Sequence, residues 1–389
     1  MPTPTQIYFD YAATTSLDPE VFEVMKPYFL EKYGNPASLH WAGQQAAKAV
    51  SHARETLASA INASANEIIF TSSATESNNL ALKGLAWGNK SKRKKIVISA
   101  VEHDCVLNSA KWLSKQDYQL DYLEVDQYGR IDLEKLSKKL DDQTLLVSVI
   151  HANNEIGTIQ PIKEIAEICH KKGILLHVDA SQTFGKIPVD VQELGVDLLT
   201  TSAHKIYGPK GVSFLYCKKG VRLTPLLHGG GQELNLRSST SNVPGIVGFA
   251  KAIEIALKKN ISEEKRIKKL RDYLEKQILS TVPDSHLNGH PTYRLYNILN
   301  IRFDYIEGES LIMRLSQEGV AASTGSACSS PKLEPSHVLL ATGLKPAEAH
   351  GSLRLSLGCW STQDEVEYAA QVIKQIVEDL RKISPFKRK

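Results

Sequence analysis

The chain has 389 residues, 42% of them hydrophobic, which is enough for a large core and for two domains rather than one. Lys and Arg number 47 against 43 Asp and Glu, a formal net charge of +4; that excess is too small to make nucleic acid a direct partner. No run of roughly 18 apolar residues occurs, which argues against a membrane span, and the start "MPTPTQIYFDYAATT" lacks the basic and apolar regions of a secretory signal, so a cytoplasmic location is expected.

Along the chain, "FTSSATESNNLALKGLA" reads as a short strand running into a helix, with Ser73 and Glu76 at capping-box spacing. The following basic run, Lys90 to Lys95, reads as a solvated loop. The segments 95–100, 145–150, 174–180 and 196–203 are short, nearly continuous apolar runs, the pattern of strands buried on both faces of a mostly parallel sheet. Between two of them, "IKEIAEICHKKG" has helical spacing and stops at a glycine, so 145–180 is a β-α-β candidate. After Pro244 a long helical pattern runs to about residue 282. Asn260-Ile261-Ser262 ahead of two glutamates reads as a break with a new N-cap, and the domain boundary is placed there. Strand candidates 296–303 and 351–357 fit a smaller α+β domain.

Five cysteines (Cys105, Cys169, Cys217, Cys328 and Cys359) occur with no C-x-x-C pair. This argues against a zinc knuckle or a disulfide framework, and no metal site is expected. Four of them read as small apolar fillers. Cys328 does not: it lies in "STGSACSSPKLEPS", among small polar residues.

In open α/β sheets ligands sit beyond the carboxyl ends of the strands. There "ILLHVDASQ" ends in Asp179 with Gln182 just after, and "TTSAHKIYGPKG" offers Ser202, His204 and Lys205. A buried Asp and Lys need compensation. A direct ion pair is one account, and pyridoxal phosphate, which joins a lysine through its aldehyde and a carboxylate through its ring nitrogen, is the other. The helix start after Ser73 is a natural phosphate cradle. "HGGGQE" (228–233) resembles a lipase oxyanion motif, but without a G-x-S-x-G elbow hydrolysis is discounted.

Taken in order, "YFDYAATT", "NPASLH", "TSSATESNNLA", "VEHDCV", "NNEIGTIQPI", "HVDASQTFGKIPVDV", "SAHKIYGPKG", "GGGQELNLRSST", "STGSACSSPKLEPSHVL" and "LRLSLG" closely resemble the cysteine desulfurases, fold-type I, class V aminotransferase-like enzymes. The resemblance runs from residue 8 to about residue 358. It implies an α/β fold: a large domain (15–261) with a mostly parallel, seven-stranded-type sheet flanked by helices, and a smaller α+β domain (1–14 and 262–389) carrying a catalytic-cysteine loop at about 323–336.

For the site, the resemblance implies that Lys205 forms the Schiff base with pyridoxal 5'-phosphate, Asp179 pairs with the pyridine nitrogen, His103 stacks on the ring and Gln182 bonds its phenolic oxygen. Ala74, Thr75, Ser202 and His204 line the phosphate site, joined by Thr240 from a second subunit of a homodimer. Asn154 and Arg354 hold the substrate carboxylate, a task suited to a guanidinium fork. Cys328, as thiolate, takes the sulfur of L-cysteine as a persulfide and L-alanine leaves. A Gly- and Ser-rich loop lets one thiol serve both the site and a later acceptor. The longer form of this loop resembles the group that supplies sulfur-acceptor or iron-sulfur scaffold proteins and thiolated-tRNA pathways.

Selenocysteine lyase or aminotransferase activity on the same fold, and an inactive platform that binds a sulfur carrier, are the alternatives. Three residues depart from the family pattern: Ser73 and Ser239 stand where relatives commonly have glycine, and Cys105 where alanine or proline is common.

Overall fold

A computed structural model describes residues 6–91, 93–324 and 335–385. Seven strands form the central sheet: β2 (Ile68–Thr71), β3 (Lys95–Ser99), β4 (Gln119–Leu123), β5 (Thr144–Ile150), β6 (Leu175–Asp179), β7 (Leu198–Thr200) and β8 (Ser213–Cys217). Their order is β2-β8-β7-β6-β5-β3-β4. Every neighbouring pair is parallel except those made by β8, which is antiparallel to both β7 and β2. Six strands therefore point one way. Their carboxyl ends share one edge of the sheet, where loops and helix N-termini collect.

Side-chain alternation divides the sheet into two apolar faces. Val97, Val147, Val149, Leu176, Val178 and Leu199 join one core, and Ile96, Ile98, Leu146, Leu198 and Leu215 join the other. Helices cover both faces, as the continuous apolar strands require. The helix Ile162–Lys171 buries Ile162, Ile165, Ala166 and Cys169 at three- and four-residue spacing, and the chain leaves it through Gly173 at φ +63°, a conformation that suits a residue without a Cβ.

A third core is built around a three-stranded antiparallel sheet of β9 (Ser285–Asn288), β10 (Ile298–Phe303) and β12 (Ser352–Ser356), in the order β12-β10-β9. The helices Gly308–Gln317 and Gln363–Ile383 pack on it. At the start of the described chain, β1 (Ile7–Tyr8) pairs in parallel with β11 (Val320–Ala321).

The expected helix break is not seen, and Lys95, expected in a solvated loop, is buried at the start of β3 and paired with Asp121 and Asp141. The helix Val243–Thr281 runs unbroken for 39 residues through Asn260-Ile261-Ser262. Ser262 does not cap a new helix; its Oγ donates to the Lys259 carbonyl at 2.9 Å, a back-bond compatible with a continuing helix. The first half of this helix (Val243, Ile246, Phe249, Ile253) belongs to a core of the large sheet, and the second half (Ile267, Leu270, Leu274, Ile278) to the third core.

Candidate active site

Four adjacent strands deliver polar residues to the common carboxyl edge. β3 leads to Glu102 and His103, β5 to Asn153, Asn154 and Glu155, β6 ends in Asp179, and β7 leads to Ser202, His204 and Lys205. β2 enters the same edge and continues through Ser73 into the helix Ala74–Asn79.

The segment Asp10–Thr15 wires several of these groups together. Lys205 Nζ donates to the carbonyls of Ala12 (2.7 Å) and Ala13 (2.6 Å), and Gln182 Nε2 donates to the same Ala12 carbonyl at 2.8 Å. His204 Nδ1 lies 3.1 Å from Thr14 Oγ1. Burial holds His204 down to about 4, with Lys205, Lys210 and Lys186 adding repulsion, so its ring is neutral at physiological pH. At the other end of the segment, Asp10 Oδ1 accepts from Arg354 Nη2 at 2.7 Å. Arg354 Nη1 donates to the Asn154 carbonyl at 3.0 Å. Arg354 is 3% exposed, and its Nε has no partner among the described residues.

Asp179, also 3% exposed, accepts hydrogen bonds on both oxygens. Ser181 donates its N–H (2.9 Å) and Oγ–H (2.5 Å) to Oδ1, and Asn78 Nδ2 donates to Oδ2 at 2.7 Å. Asn78 Nδ2 also donates to Cys105 Sγ at 3.0 Å, and Cys105 Sγ lies 3.0 Å from His103 Nδ1. His103 caps the helix Asp104–Ser114 by accepting the Cys105 N–H at Nδ1. A chain of side-chain contacts thus joins Asp179 to His103, with Cys105 in the middle. Just before it, Glu102 is fully buried and accepts the Ile150 N–H. Burial pushes its carboxyl well above the usual range, and the nearby Asp179 adds to the effect.

Ser202 is buried and precedes the short helical turn Ala203–Lys205. Ala74 and Thr75 open the helix Ala74–Asn79, Ala74 half-buried and Thr75 exposed. Ser73 accepts the Glu76 N–H at Oγ (3.1 Å), but the Glu76 carboxylate does not close a capping box; it turns to Ser72 and to Arg237. Ser73 is extended (φ −167°) and Ser239 is not among the positive-φ residues, so neither departure from glycine strains the backbone. Thr240 is exposed. Cys328 lies outside the described residues.

The stretch holding Cys328 is fixed at both described ends. Ser323 exchanges backbone hydrogen bonds with Arg354 in both directions. Ser336 donates its Oγ–H to Glu155 Oε2 and caps the helix His337–Ala341, and His337 Nε2 lies 2.9 Å from the Glu102 carbonyl oxygen.

Strand-end reasoning and motif matching missed Asn78, Ser181, Asp10 and Glu155 as supporting residues. A signal existed for all four, since Asp10, Asn78, Glu155 and Ser181 stand inside the quoted motifs.

Three comparisons bear on this arrangement. The family model described as "Aminotransferase class-V" matches residues 7–369. The "Cysteine desulfurase IscS" of Dictyoglomus turgidum is 50% identical over 383 residues, covering 98% of this chain and 97% of that one. Among solved structures, a "NIFS-LIKE PROTEIN" aligns with a TM-score of 0.91 at 41% identity, covering 97% of this chain and all of that one. A structure titled "SspA in complex with cysteine" aligns at 0.82 and 36% identity, covering 92% and 100%. Family model, relatives and edge geometry agree: the chain belongs to the class-V aminotransferase family, in its cysteine desulfurase branch.

Proposed function

We propose that this protein is a pyridoxal 5'-phosphate-dependent cysteine desulfurase that releases L-alanine from L-cysteine and keeps the sulfur as a persulfide on Cys328. The observation that carries the reading is the arrangement on the sheet edge: a buried, doubly hydrogen-bonded carboxylate at Asp179, and Lys205, Gln182, His204 and Arg354 bonded to one short segment, Asp10–Thr15.

The residues fit the cofactor. The Asp179 carboxylate, held in place by donors on both oxygens, is an acceptor that suits an N–H on the ring nitrogen. Lys205, Lys186 and His204 gather basic groups whose mutual repulsion a phosphate dianion would relieve. When bound, the cofactor supplies an aldehyde for amines to condense with and an electron-withdrawing ring that makes the substrate Cα proton labile.

Lys205, which would hold the cofactor's aldehyde, would also be the group placed to move that proton, its amine oriented by the Ala12 and Ala13 carbonyls. His103 is assigned to the ring face, Gln182 to the phenolic oxygen, and Ala74, Thr75, Ser202 and His204 to the phosphate. Arg354 and Asn154 take the substrate carboxylate, the partnerless Arg354 Nε–H being a buried donor that an anion would satisfy. The Cys328 thiolate attacks the substrate sulfur: the S–S bond forms as the C–S bond breaks, and the carbon fragment takes up a proton and leaves as alanine.

The assembly we propose is a homodimer in which Thr240 of each subunit completes the partner's phosphate site. Leu30, Tyr33, Leu39 and Trp41, exposed by 76, 76, 90 and 77%, form an apolar stretch that a second copy would cover. Two domains, 15–261 and 1–14 with 262–389, are supported by the division of the long helix between two cores. Among the described residues no helix is long and apolar enough to cross a membrane. We place the enzyme in the cytoplasm, handing sulfur to acceptor or iron-sulfur scaffold proteins, a reading supported by the resemblance of the longer loop.

The test is peptide mass spectrometry after the cofactor-loaded protein is incubated with L-cysteine without reductant. One added sulfur on Cys328 with alanine released is expected. An unmodified Cys328 in a protein whose cofactor is linked to lysine would refute the reading.

A further inference from the structure

Lys186 lies four residues beyond Gln182, in the turns that follow β6, and is 7% exposed. A buried ammonium is costly unless paired, yet among the described residues its one side-chain hydrogen bond goes to an amide: Nζ donates to Gln182 Oε1 at 3.1 Å. The other end of that amide, Nε2, donates to the Ala12 carbonyl, which also accepts from Lys205 Nζ. Two lysines are therefore connected through one amide and one carbonyl. Burial and the nearby Lys205 hold Lys186 down to about 7.

The arrangement fixes the direction of the Gln182 amide. Reversed end for end, its oxygen would face the Ala12 oxygen, a repulsive contact in any state, and its NH2 group would face Lys186, repulsive whenever the lysine carries its proton. With the amide fixed, the second N–H of Nε2 remains for a ligand atom.

We propose that Lys186 is a positioning residue for the desulfurase reaction: it locks the Gln182 amide so that its NH2 end serves the cofactor's phenolic oxygen beside Lys205. The inference rests on the reading of Gln182 given above. A donor held on the phenolic oxygen competes with that oxygen's hold on the proton of the Lys205–cofactor linkage, so the linkage loses its proton at lower pH. Without Lys186 the amide rotates, the donor is lost part of the time, and the proton is held to higher pH.

Other charges near this pair are few. Lys186 and Lys205 share the wall of a cavity of about 70 Å³ whose remaining titratable groups are Asp18, Tyr207, Lys259, Glu263, Tyr296 and Cys359. Burial raises the two tyrosines and the cysteine, so all three stay neutral through the range of interest. On the cofactor side described above the titratable and charged groups are Glu102, His103, Cys105, Asp179 and His204, with the Asp10–Arg354 pair at the far end of the segment.

The experiment is a pH titration of the cofactor's absorption band in the holoenzyme, for wild type, Lys186→Met, Gln182→Ala and the double variant. Loss of a hydrogen bond of this kind is expected to raise the midpoint by about one pH unit in each single variant. The double variant is expected to match Gln182→Ala alone, since Lys186 acts through that amide. Lys186→Arg, for whose longer side chain the adjoining cavity leaves room, is expected to restore the wild-type midpoint. Lys186→Leu carries the same expectation as Met and guards against a folding failure of the first variant.

A wild-type midpoint in Lys186→Met, or a Lys186 effect that persists in full without Gln182, overturns the inference while leaving Gln182's role intact. An unshifted Gln182→Ala overturns the reading of Gln182, and the inference with it.

Discussion

Replacing Asn78 with alanine separates what the site needs from what the fold needs. Asn78 is fully buried and its Nδ2 group reaches Asp179 Oδ2 at 2.7 Å and Cys105 Sγ at 3.0 Å. The bond to the carboxylate is charge-assisted and contributes about 1.5–3 kcal/mol. The same side chain carries Oδ1, buried without a partner among the described residues, and such an orphan costs about 1–3 kcal/mol. For the cofactor-free fold the two nearly offset, leaving the cost of a small cavity, on the order of 1 kcal/mol. Cofactor binding responds to the first change alone, because Asp179 loses its one side-chain donor at Oδ2 among the described residues, and affinity is expected to fall about 10- to 100-fold. Urea melts of the apoprotein and equilibrium binding of pyridoxal phosphate read the two quantities separately. Asn78→Asp, which sets a second carboxylate against Asp179, is expected to lose more affinity than the alanine variant. Unchanged cofactor affinity in Asn78→Ala, or a fall in apoprotein stability with affinity intact, would refute the claim that Asn78 orients Asp179 for the ring.

Lys205→Ala is expected to leave no borohydride-reducible link to the cofactor; a covalent adduct on another lysine, found by peptide mapping, would displace Lys205 from its assigned role. His151, His177 and His204 are each pushed down to about 4, burial being the largest cause. As pH falls below the ordinary histidine value of about 6.5, the unfolded chain takes up protons that the folded one refuses. The contribution of these three histidines to apoprotein stability is therefore expected to be fully present above that value and to decline toward pH 4. Denaturant melts check this, and a flat profile across the window would contradict the neutral, buried assignment. Leu39→Glu with Trp41→Lys is expected to convert a dimer to monomers in analytical ultracentrifugation and to weaken cofactor retention, because each Thr240 would lose its partner site. A variant that remains dimeric would move the interface elsewhere.

The residues that could be found in the sequence were those at strand ends. Asp179 follows an apolar run that has no other reason to end in a carboxylate, and Lys205 sits in a Gly-Pro-flanked turn; both fall on the common edge because the sheet is parallel there. Their supports were harder to find. Asn78 reads as an ordinary helix residue, and only the packing of the helix Ala74–Asn79 against the sheet turns it toward Asp179. Lys186 lies in the turns after β6, and only the folded chain shows that it is buried. The expected helix break at Asn260-Ser262 rested on a serine followed by two glutamates, a local signal that the pull of two cores on one continuous helix overrides. The capping box at Ser73 met similar competition, since Arg237, distant in sequence, claims the Glu76 carboxylate.

Anchoring at Ser323 and Ser336 sets a limit on delivery. Cys328 is five residues from the first anchor, and a fully extended chain spans at most about 18 Å over that distance. The sequence separation alone keeps Cys328 within that distance of Ser323, which is bonded to the Arg354 strand. For the desulfurase reading proposed above, this bound puts the meeting point with any sulfur acceptor close to the Arg354 strand.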